Sequence, residues 1–356
     1  MRILASVAIL AALSTGVGCR NYGDFIAEDP VAGTEEWFCA EKRDHTCVVA
    51  VDNSEDRRIF RIASLTKLMF YPMLERLEAE GRIKMDWRLT ECFKDPLPEE
   101  YRDLTLRDLL ENRSGLPREF INPWCLGDVW TAFHCGFAGI DIYGAFSERR
   151  DFVRKLHEPM VRGDVKRRVR RYSNMGFALM MMAVCDKLGE GVESLFERYV
   201  VKPYGLQDTF FDVPPHARDR LTPACSGALP WLIPRGGAVP DHRLGEVARL
   251  TGGLKSSAAD MLKVFNSLWG TIEGLDISGA EDGEEVWMLK VARLESGRKI
   301  LYRHGMIYGG ATFVGFDADE KRIVLVMRNV TSWPSGEGVL LVERLAKEGR
   351  SRYVDR

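Results

Sequence analysis

Ser64 and Lys67, three positions apart, are the first residues in the chain whose types and spacing suggest chemistry. Apolar residues at Leu65, Leu68, Met69, Met73 and Leu74 follow helical spacing, with Ser64 at the helix entry. A capping serine would favour Glu or Gln three residues later. Lys67 instead sets a cation in the first turn, against the partial positive charge of a helix N-terminus. Residues i and i+3 share a helix face, so an amine there can take the proton of a serine hydroxyl, and the chemistry implied is nucleophilic attack by serine. Ser-x-x-Lys recurs by chance in chains of this length, so the rest of the sequence has to decide between cap and nucleophile.

The elements that must position this pair can be read in order. Residues 35–51 suggest two strands and a turn, ending in the β-rich run Cys47-Val48-Val49-Ala50-Val51. The helix carrying Ser64 and Lys67 runs towards Gly81, with Pro72 expected to kink it or open one backbone bond. Residues 103–112 form a short amphipathic helix stopped by Ser114-Gly115-Leu116-Pro117. An aromatic, Gly-containing loop with Trp124, Trp130, Phe133 and Phe137 fills 118–144 and reads either as a pocket wall or as satellite core. Residues 162–171 are strongly basic, the pattern of a solvated face or of anion recognition. Helical periodicity returns over 175–188 and 193–201, and residues 212–249 are rich in Pro and Gly. Gly252 to Met261 forms a tight turn into a helix, with Ser257 as N-cap. Alternating segments at 286–294, 299–304, 312–316 and 323–329 read as antiparallel strands, and a helix over 339–348 closes the chain.

Strands at both ends with helices between them predict one shared sheet. The expected fold class is α/β of the α+β type: a mainly antiparallel sheet flanked by helices, with an inserted all-helical subdomain. The expected boundaries are a signal peptide over 1–18 and a catalytic domain over 30–350. Its α/β part covers about 30–80 and 250–350, and its helical insert about 81–249.

With 46% hydrophobic and 29% charged residues among 356, the chain is globular. Lys+Arg of 50 against Asp+Glu of 52 gives a net charge of -2, which argues against a general nucleic-acid binder. Met1-Arg2, an apolar run over 3–13 and small residues before Cys19 describe an export signal too short to span a bilayer permanently. Gly18-Cys19 is similar to a bacterial lipobox with Gly16 where Leu is usual, so a lipidated, membrane-anchored Cys19 and plain cleavage are both open. The expected location is therefore outside the cytoplasm: periplasmic, anchored or secreted. Cys39 with Cys47 and Cys125 with Cys135 are candidate disulfide pairs, whereas Cys185 reads as a buried free thiol. The six His residues are scattered and no Cys or His spacing resembles a zinc site, so no metal and no cofactor are expected.

Several stretches, in order, resemble the serine β-lactamase and penicillin-binding superfamily, in its class C β-lactamase-like branch that also holds esterases and D-amino-acid peptidases. They are Phe60-Arg61-Ile62-Ala63-Ser64-Leu65-Thr66-Lys67, then Leu104 to Leu110 with Ser114-Gly115-Leu116, then Tyr172-Ser173-Asn174-Met175-Gly176-Phe177. Pro203-Tyr204-Gly205-Leu206 with Thr209, Gly252 to Met261, and Arg303-His304-Gly305 follow.

The resemblance implies Ser64 as nucleophile, Lys67 and Tyr172 as the proton-handling pair, and Asn174 as hydrogen-bonding partner of a substrate amide and of Lys67. It places His304 at the family's third motif, where Lys or, in esterase-like members, His lines the site. The backbone N–H groups of Ser64 and Ile307 would form the oxyanion hole. Free Lys and Tyr titrate near 10, so burial and mutual charge must shift the pair. Two departures shape the expectation. Met306 stands in place of a family glycine, on the same strand face as His304, where it would crowd the acyl pocket. A neutral His304 would also remove a fixed cation from the site. The expected function is an exported serine hydrolase acting through an acyl-enzyme on ester or amide bonds of small molecules or peptides, D-amino-acid peptides or β-lactams included. The alternative is a non-catalytic or slowly turning over envelope sensor.

Overall fold

The computed structural model describes residues 47–118, 148–225, 244–307 and 309–329, together with 339 and 342. Eight strands lie within them: β1 (Cys47–Val51), β2 (Phe60–Arg61), β3 (Lys255–Ser256), β4 (Glu285–Val286), β5 (Leu289–Arg293), β6 (Lys299–Ile307), β7 (Gly310–Asp317) and β8 (Arg322–Arg328). Six form an antiparallel sheet in the order β1-β8-β7-β6-β5-β4, and β2 pairs with β3 in a second, two-stranded sheet. β1 lies beside β8, with Cys47 opposite Arg328 and Val51 opposite Val324, so the two ends of the chain share one sheet.

Every residue of β7 is buried, which explains its near-continuous apolar run: both faces of the sheet are covered. Leu301, Val314, Phe316, Ile323, Leu325 and Met327 join the main core on one face. Ile300, Phe313, Val324 and Val326 pack on the other, against Val342 and Val339, both helical.

The main core is built by helices α1 (Thr66–Ala79), α2 (Leu106–Leu110), α3 (Arg149–Leu156), α4 (Pro159–Arg167), α5 (Asn174–Leu188), α6 (Glu246–Gly252) and α7 (Ala258–Asn266). α1 runs uninterrupted through Pro72 and buries Leu68, Met69, Phe70, Met73, Leu74 and Leu77. α5 is buried along Met175 to Val184 without an exposed stripe, the pattern of a helix enclosed on all sides. Phe70 ties α1 to α5 through ring contacts with Phe177 (6.3 Å), and also meets Phe196 (5.4 Å) and Phe211 (6.1 Å). Full burial of such a side chain is worth about 1.5–3 kcal/mol.

Two helix starts carry a side-chain cap, of which the one at Ser257 was expected. Thr105 caps α2, its hydroxyl accepting from Asp108 N–H while the Asp108 carboxylate accepts from Thr105 N–H. Ser257 caps α7 by accepting from Asp260 N–H. The expected strand before Cys47, most of the aromatic loop, residues 226–243 and most of the closing helix fall outside the described residues. So do Cys19, Cys39, Cys125 and Cys135, and with them the lipobox and both candidate disulfides. Cys92 and Cys185 are free thiols; Cys185, expected to be buried, is partly exposed. Among the described residues no helix is long and apolar enough to cross a membrane, and no group of His, Cys, Asp or Glu is arranged to hold a metal ion.

Candidate active site

The chain enters α1 through a tight turn over Ala63–Leu65 rather than through a capped start. Ala63 adopts a φ of 48°, a left-handed conformation that costs a non-glycine residue on the order of 1–3 kcal/mol. The surroundings enforce it. Leu254 N–H donates to the Thr66 hydroxyl, and Leu65 N–H donates to the Ile62 carbonyl. Ser64 makes no cap bond at this turn; its Oγ lies 2.9 Å from the Tyr172 Oη and 3.4 Å from the Lys67 Nζ.

Lys67 is buried, and its amine is held from several directions. Nζ donates to Asn174 Oδ1 at 2.8 Å and to the Thr251 carbonyl at 2.6 Å, besides its contact with Ser64. An ammonium has three N–H donors, and these contacts can direct all three. The cation also lies 5.2 Å from the centre of the Tyr172 ring and 5.5 Å from that of Phe177. The unfavourable location in a first helical turn is thereby offset by carbonyl oxygens from the C-terminal end of α6 and the start of α5.

Tyr172 and Asn174 flank the N-cap of α5. The Ser173 hydroxyl accepts from Gly176 N–H (2.8 Å) and donates to the Pro117 carbonyl (2.6 Å), while Ser173 N–H donates to Asn112 Oδ1 (3.0 Å). Asn174 N–H donates to the Arg118 carbonyl (2.9 Å). The cap thus fixes the residue before it and the residue after it, and Asn174 Oδ1 accepts from both Lys67 and the Tyr172 hydroxyl (2.9 Å). Burial alone would raise the Tyr172 phenol. The Lys67 ammonium, the Arg303 guanidinium and hydrogen bonds with Lys67 and Ser64 outweigh it and bring the pKa down to about 8.

The fourth wall is β6, and here the register corrects the expectation. A Cβ added to Gly305 would stand 2.7 Å from Ser64 N, 2.9 Å from the Ile62 carbonyl oxygen and 2.9 Å from Thr312 Oγ1, so Gly305 is the residue that lets the strand approach the nucleophile. By period-2 alternation Arg303 shares that face, and its guanidinium carbon lies 4.2 Å from the Tyr172 ring centre. His304 and Met306 point to the opposite face, where the His304 ring lies beside Tyr302 at 6.3 Å. Burial, reinforced by the charges of Arg303, Lys290 and Arg118, holds the His304 imidazole down to about 3, so it is neutral at physiological pH. Met306 therefore does not crowd Ser64, and the cation thought lost at His304 is supplied by Arg303, one position earlier.

Ile307 is displaced from its expected role by the same register. Ile307 lies opposite Gly310, and a two-residue connection closes on a pair that exchanges both backbone hydrogen bonds. The Ile307 N–H then points into the β6–β7 ladder, and the donors at the open edge of β6, beyond the end of β5, are those of His304 and Met306. The structure thus brings Ser64, Lys67, Tyr172 and Asn174 together, adds Arg303 and the Thr251 carbonyl, and turns His304 away. The basic run ahead of Tyr172 is largely a solvated face, tied down where Arg171 bonds the Gly115 and Leu116 carbonyls and Asp164.

A serine hydroxyl touching a phenol of lowered pKa and a buried amine, beside a close-packed glycine strand, can lose its proton and attack a carbonyl. The chain as a whole is similar to several known proteins. The chain is 27% identical over 216 residues to the D-alanyl-D-alanine-carboxypeptidase/endopeptidase AmpH of Escherichia coli K12, covering 58% of this chain and 47% of that one. It therefore spans about half the length of that relative. Among solved structures it is similar to a class C beta-lactamase from Rhodobacter sphaeroides (TM-score 0.62, 16% identity, covering 83% of this chain and 87% of the other). It is also similar to a D-amino acid amidase from Ochrobactrum anthropi SV3 (TM-score 0.63, 20% identity, 83% and 86% covered). The sequence profile of the beta-lactamase family matches residues 50–346, and the chain belongs to that family, with its serine-hydrolase fold.

Proposed function

We propose that the protein is a serine hydrolase that works through an acyl-enzyme. The observation that carries this reading is the three-way contact of Ser64 Oγ with Tyr172 Oη and Lys67 Nζ, both partners shared with Asn174 Oδ1. With its pKa lowered to about 8, the Tyr172 phenol is poised to accept the Ser64 proton as the oxygen attacks. The Lys67–Tyr172 pair titrates as a unit, and the proton it gains passes to the leaving alcohol or amine. Ser64 N–H and, from the register of β6, Met306 N–H supply the donors for the developing oxyanion. Water then releases the acyl group by the reverse path.

The substrate class we propose is an ester or an amide of a D-amino acid or peptide. The names of the similar carboxypeptidase and amidase support the amide half of this reading. Arg303 beside Tyr172 keeps a cation at the site and so keeps β-lactams within reach. The sensor alternative rested on Met306 filling the acyl pocket, and its place on the far face of β6 removes that reason. Export, with or without lipid on Cys19, belongs to the same proposal and rests on the N-terminal sequence; incorporation of a palmitate analogue at Cys19 would separate the two forms.

Purified protein incubated with a fluorophosphonate should be labelled at Ser64. Esters, D-amino-acid amides and a chromogenic cephalosporin, screened in parallel, then rank the substrates. A folded protein that stays unlabelled at Ser64 overturns the reading.

A further inference from the structure

Arg303 needs a reason to stay where it is, because a guanidinium with a flexible stem does not hold one face of an aromatic ring unaided. Its Nη1 donates to the Met288 carbonyl at 3.1 Å and lies 3.5 Å from Glu285 Oε1. Glu285 Oε2 accepts from Asn112 Nδ2 at 3.2 Å. Asn112 in turn brackets Tyr172 through the backbone: its carbonyl accepts from Arg171 N–H and its Oδ1 from Ser173 N–H, both at 3.0 Å. One carboxylate therefore touches both the cation over the ring and the residue that fixes the ring's backbone from both sides.

The platform under this carboxylate is itself anchored. Glu285 begins β4, Val286 pairs with Leu289, and Trp287 takes a φ of 56° in the turn between. The Trp287 ring packs edge-on against Tyr71 of α1 at 4.5 Å, which ties the β4–β5 hairpin to the helix that carries Lys67. The Arg303 and Glu285 side chains are only 7% and 14% exposed. A nearly dry ion pair adds little net stability, so holding the fold together is a weak account of it.

We infer that Glu285 is a positioning residue of the proposed reaction, holding the Arg303 guanidinium on the face of Tyr172 and coupling that cation to the segment that carries the phenol. The inference rests on the reading of Tyr172 as proton acceptor. The charged groups facing the phenol are Lys67 from α1, Arg303 from β6 and Arg118 from the segment after α2, whose guanidinium carbon lies 5.6 Å from the ring centre. Glu285, from β4, faces Arg303.

The sign of the effect separates positioning from simple charge. As a bare negative charge, Glu285 raises the phenol pKa, so its removal would lower it. As a clamp it lowers that pKa through Arg303, so its removal raises it.

The test uses the full chain and its Glu285→Gln and Arg303→Gln variants. The rate of fluorophosphonate labelling is followed against pH, and the Tyr172 phenol is titrated by tyrosinate absorbance with Tyr172→Phe as the blank. Both variants should move the labelling limb and the phenol titration to higher pH, with labelling at pH 7 roughly three- to tenfold slower and recovery at alkaline pH, a tenfold change per pKa unit. A shift to lower pH in Glu285→Gln, or none, overturns the inference. If Glu285→Gln does not fold, Glu285→Asp, which keeps the charge but shortens its reach, should show a smaller shift in the same direction, and an unmoved titration overturns the inference there. Absence of labelling in the parent protein would refute the serine-hydrolase reading, while the phenol titration still decides the clamp.

Discussion

Gly305→Ala, set beside Met306→Gly, tests the register on which the site depends. An alanine Cβ at 305 would sit 2.7 Å from Ser64 N and 2.9 Å from the Ile62 carbonyl oxygen, both backbone atoms at the entry to α1. Ordinary contact begins near about 3.5 Å, so β6 and the nucleophile must separate by roughly 0.8 Å. The third close neighbour, Thr312 Oγ1, donates to the same Ile62 carbonyl and has no free rotamer to yield without losing that bond. Overpacking of this kind costs about 1–3 kcal/mol of stability. The catalytic cost is larger, since a misplacement near 1 Å lowers a rate on the order of 10²-fold. Fluorophosphonate labelling of Gly305→Ala should therefore slow by about two orders of magnitude, while its melting temperature falls by only a few degrees. Met306→Gly, on the other face of β6, should label within about threefold of the parent, a change of under 1 kcal/mol in the barrier. If Gly305→Ala labels normally and Met306→Gly labels faster, then Met306 is the residue against Ser64 and the placement of Arg303 falls with it.

Other consequences follow from single contacts. Tyr172→Phe should slow labelling of Ser64 by about 10²–10⁴-fold, the usual worth of a positioned general base, with the fold intact by circular dichroism. In the parent protein the labelling rate should climb as pH rises towards about 8, where the phenol loses its proton, and level off above; a flat profile between pH 6 and 9 would contradict this. Asp208, buried between Arg57 and Arg220, is pushed up by its burial, but those two guanidinium groups outweigh it and hold the carboxyl below the usual carboxylate range. Its stabilisation is therefore complete above that range and lost as pH falls through the depressed value, and Asp208→Asn should flatten the acid side of the melting temperature against pH. Thr105→Ala removes the cap of α2 and should cost about 0.5–2 kcal/mol in urea unfolding, with little change in labelling of Ser64.

Much of this architecture was legible because separate local signals agreed. The capping residue before α7, apolar periodicity along α1 and over 175–188, and alternating runs at both ends of the chain all point to helices packed on one antiparallel sheet. The pair Ser64 and Lys67 was visible as a helix start that breaks the electrostatic rule for helix starts. The face of β6 was not legible. Ile300 and Leu301 are both apolar and both buried, on opposite sides of the sheet, so alternation within the strand gives no side to count from. Counting from a histidine that suits the third motif put His304 and Met306 at the site. Counting from Gly305, the residue able to pass close to another backbone, puts Arg303 there instead. The Thr251 carbonyl was beyond reach for a different reason, since a backbone acceptor has no side chain to betray it. The Glu285–Asn112 contact joins residues 173 positions apart whose types alone suggest only side chains facing water.

The places where local rules fail in this chain fall together in space, and that coincidence ties fold to function. Ala63 has a left-handed backbone without being glycine, Lys67 puts a cation where a helix favours an anion, and Arg303 and Glu285 put two charges where water is nearly absent. Each is unfavourable on its own, and each is offset by a group from a distant part of the chain: Leu254, whose N–H donates to the Thr66 hydroxyl, the carbonyls of Asn174 and Thr251, and Asn112 with Met288. A chain selected for stability alone would have little reason to gather these conflicts around one hydroxyl. Relieving one of them should therefore cost the chemistry far more than the fold. Lys67→Met keeps the packing against Phe177 and removes a buried cation, yet it leaves the Asn174 amide oxygen and the Thr251 carbonyl short of a donor. Its melting temperature should accordingly stay within a few degrees of the parent, in either direction, while labelling of Ser64 is lost. A Lys67→Met protein that still labels at the parent rate would show that these local costs serve the fold and not the reaction.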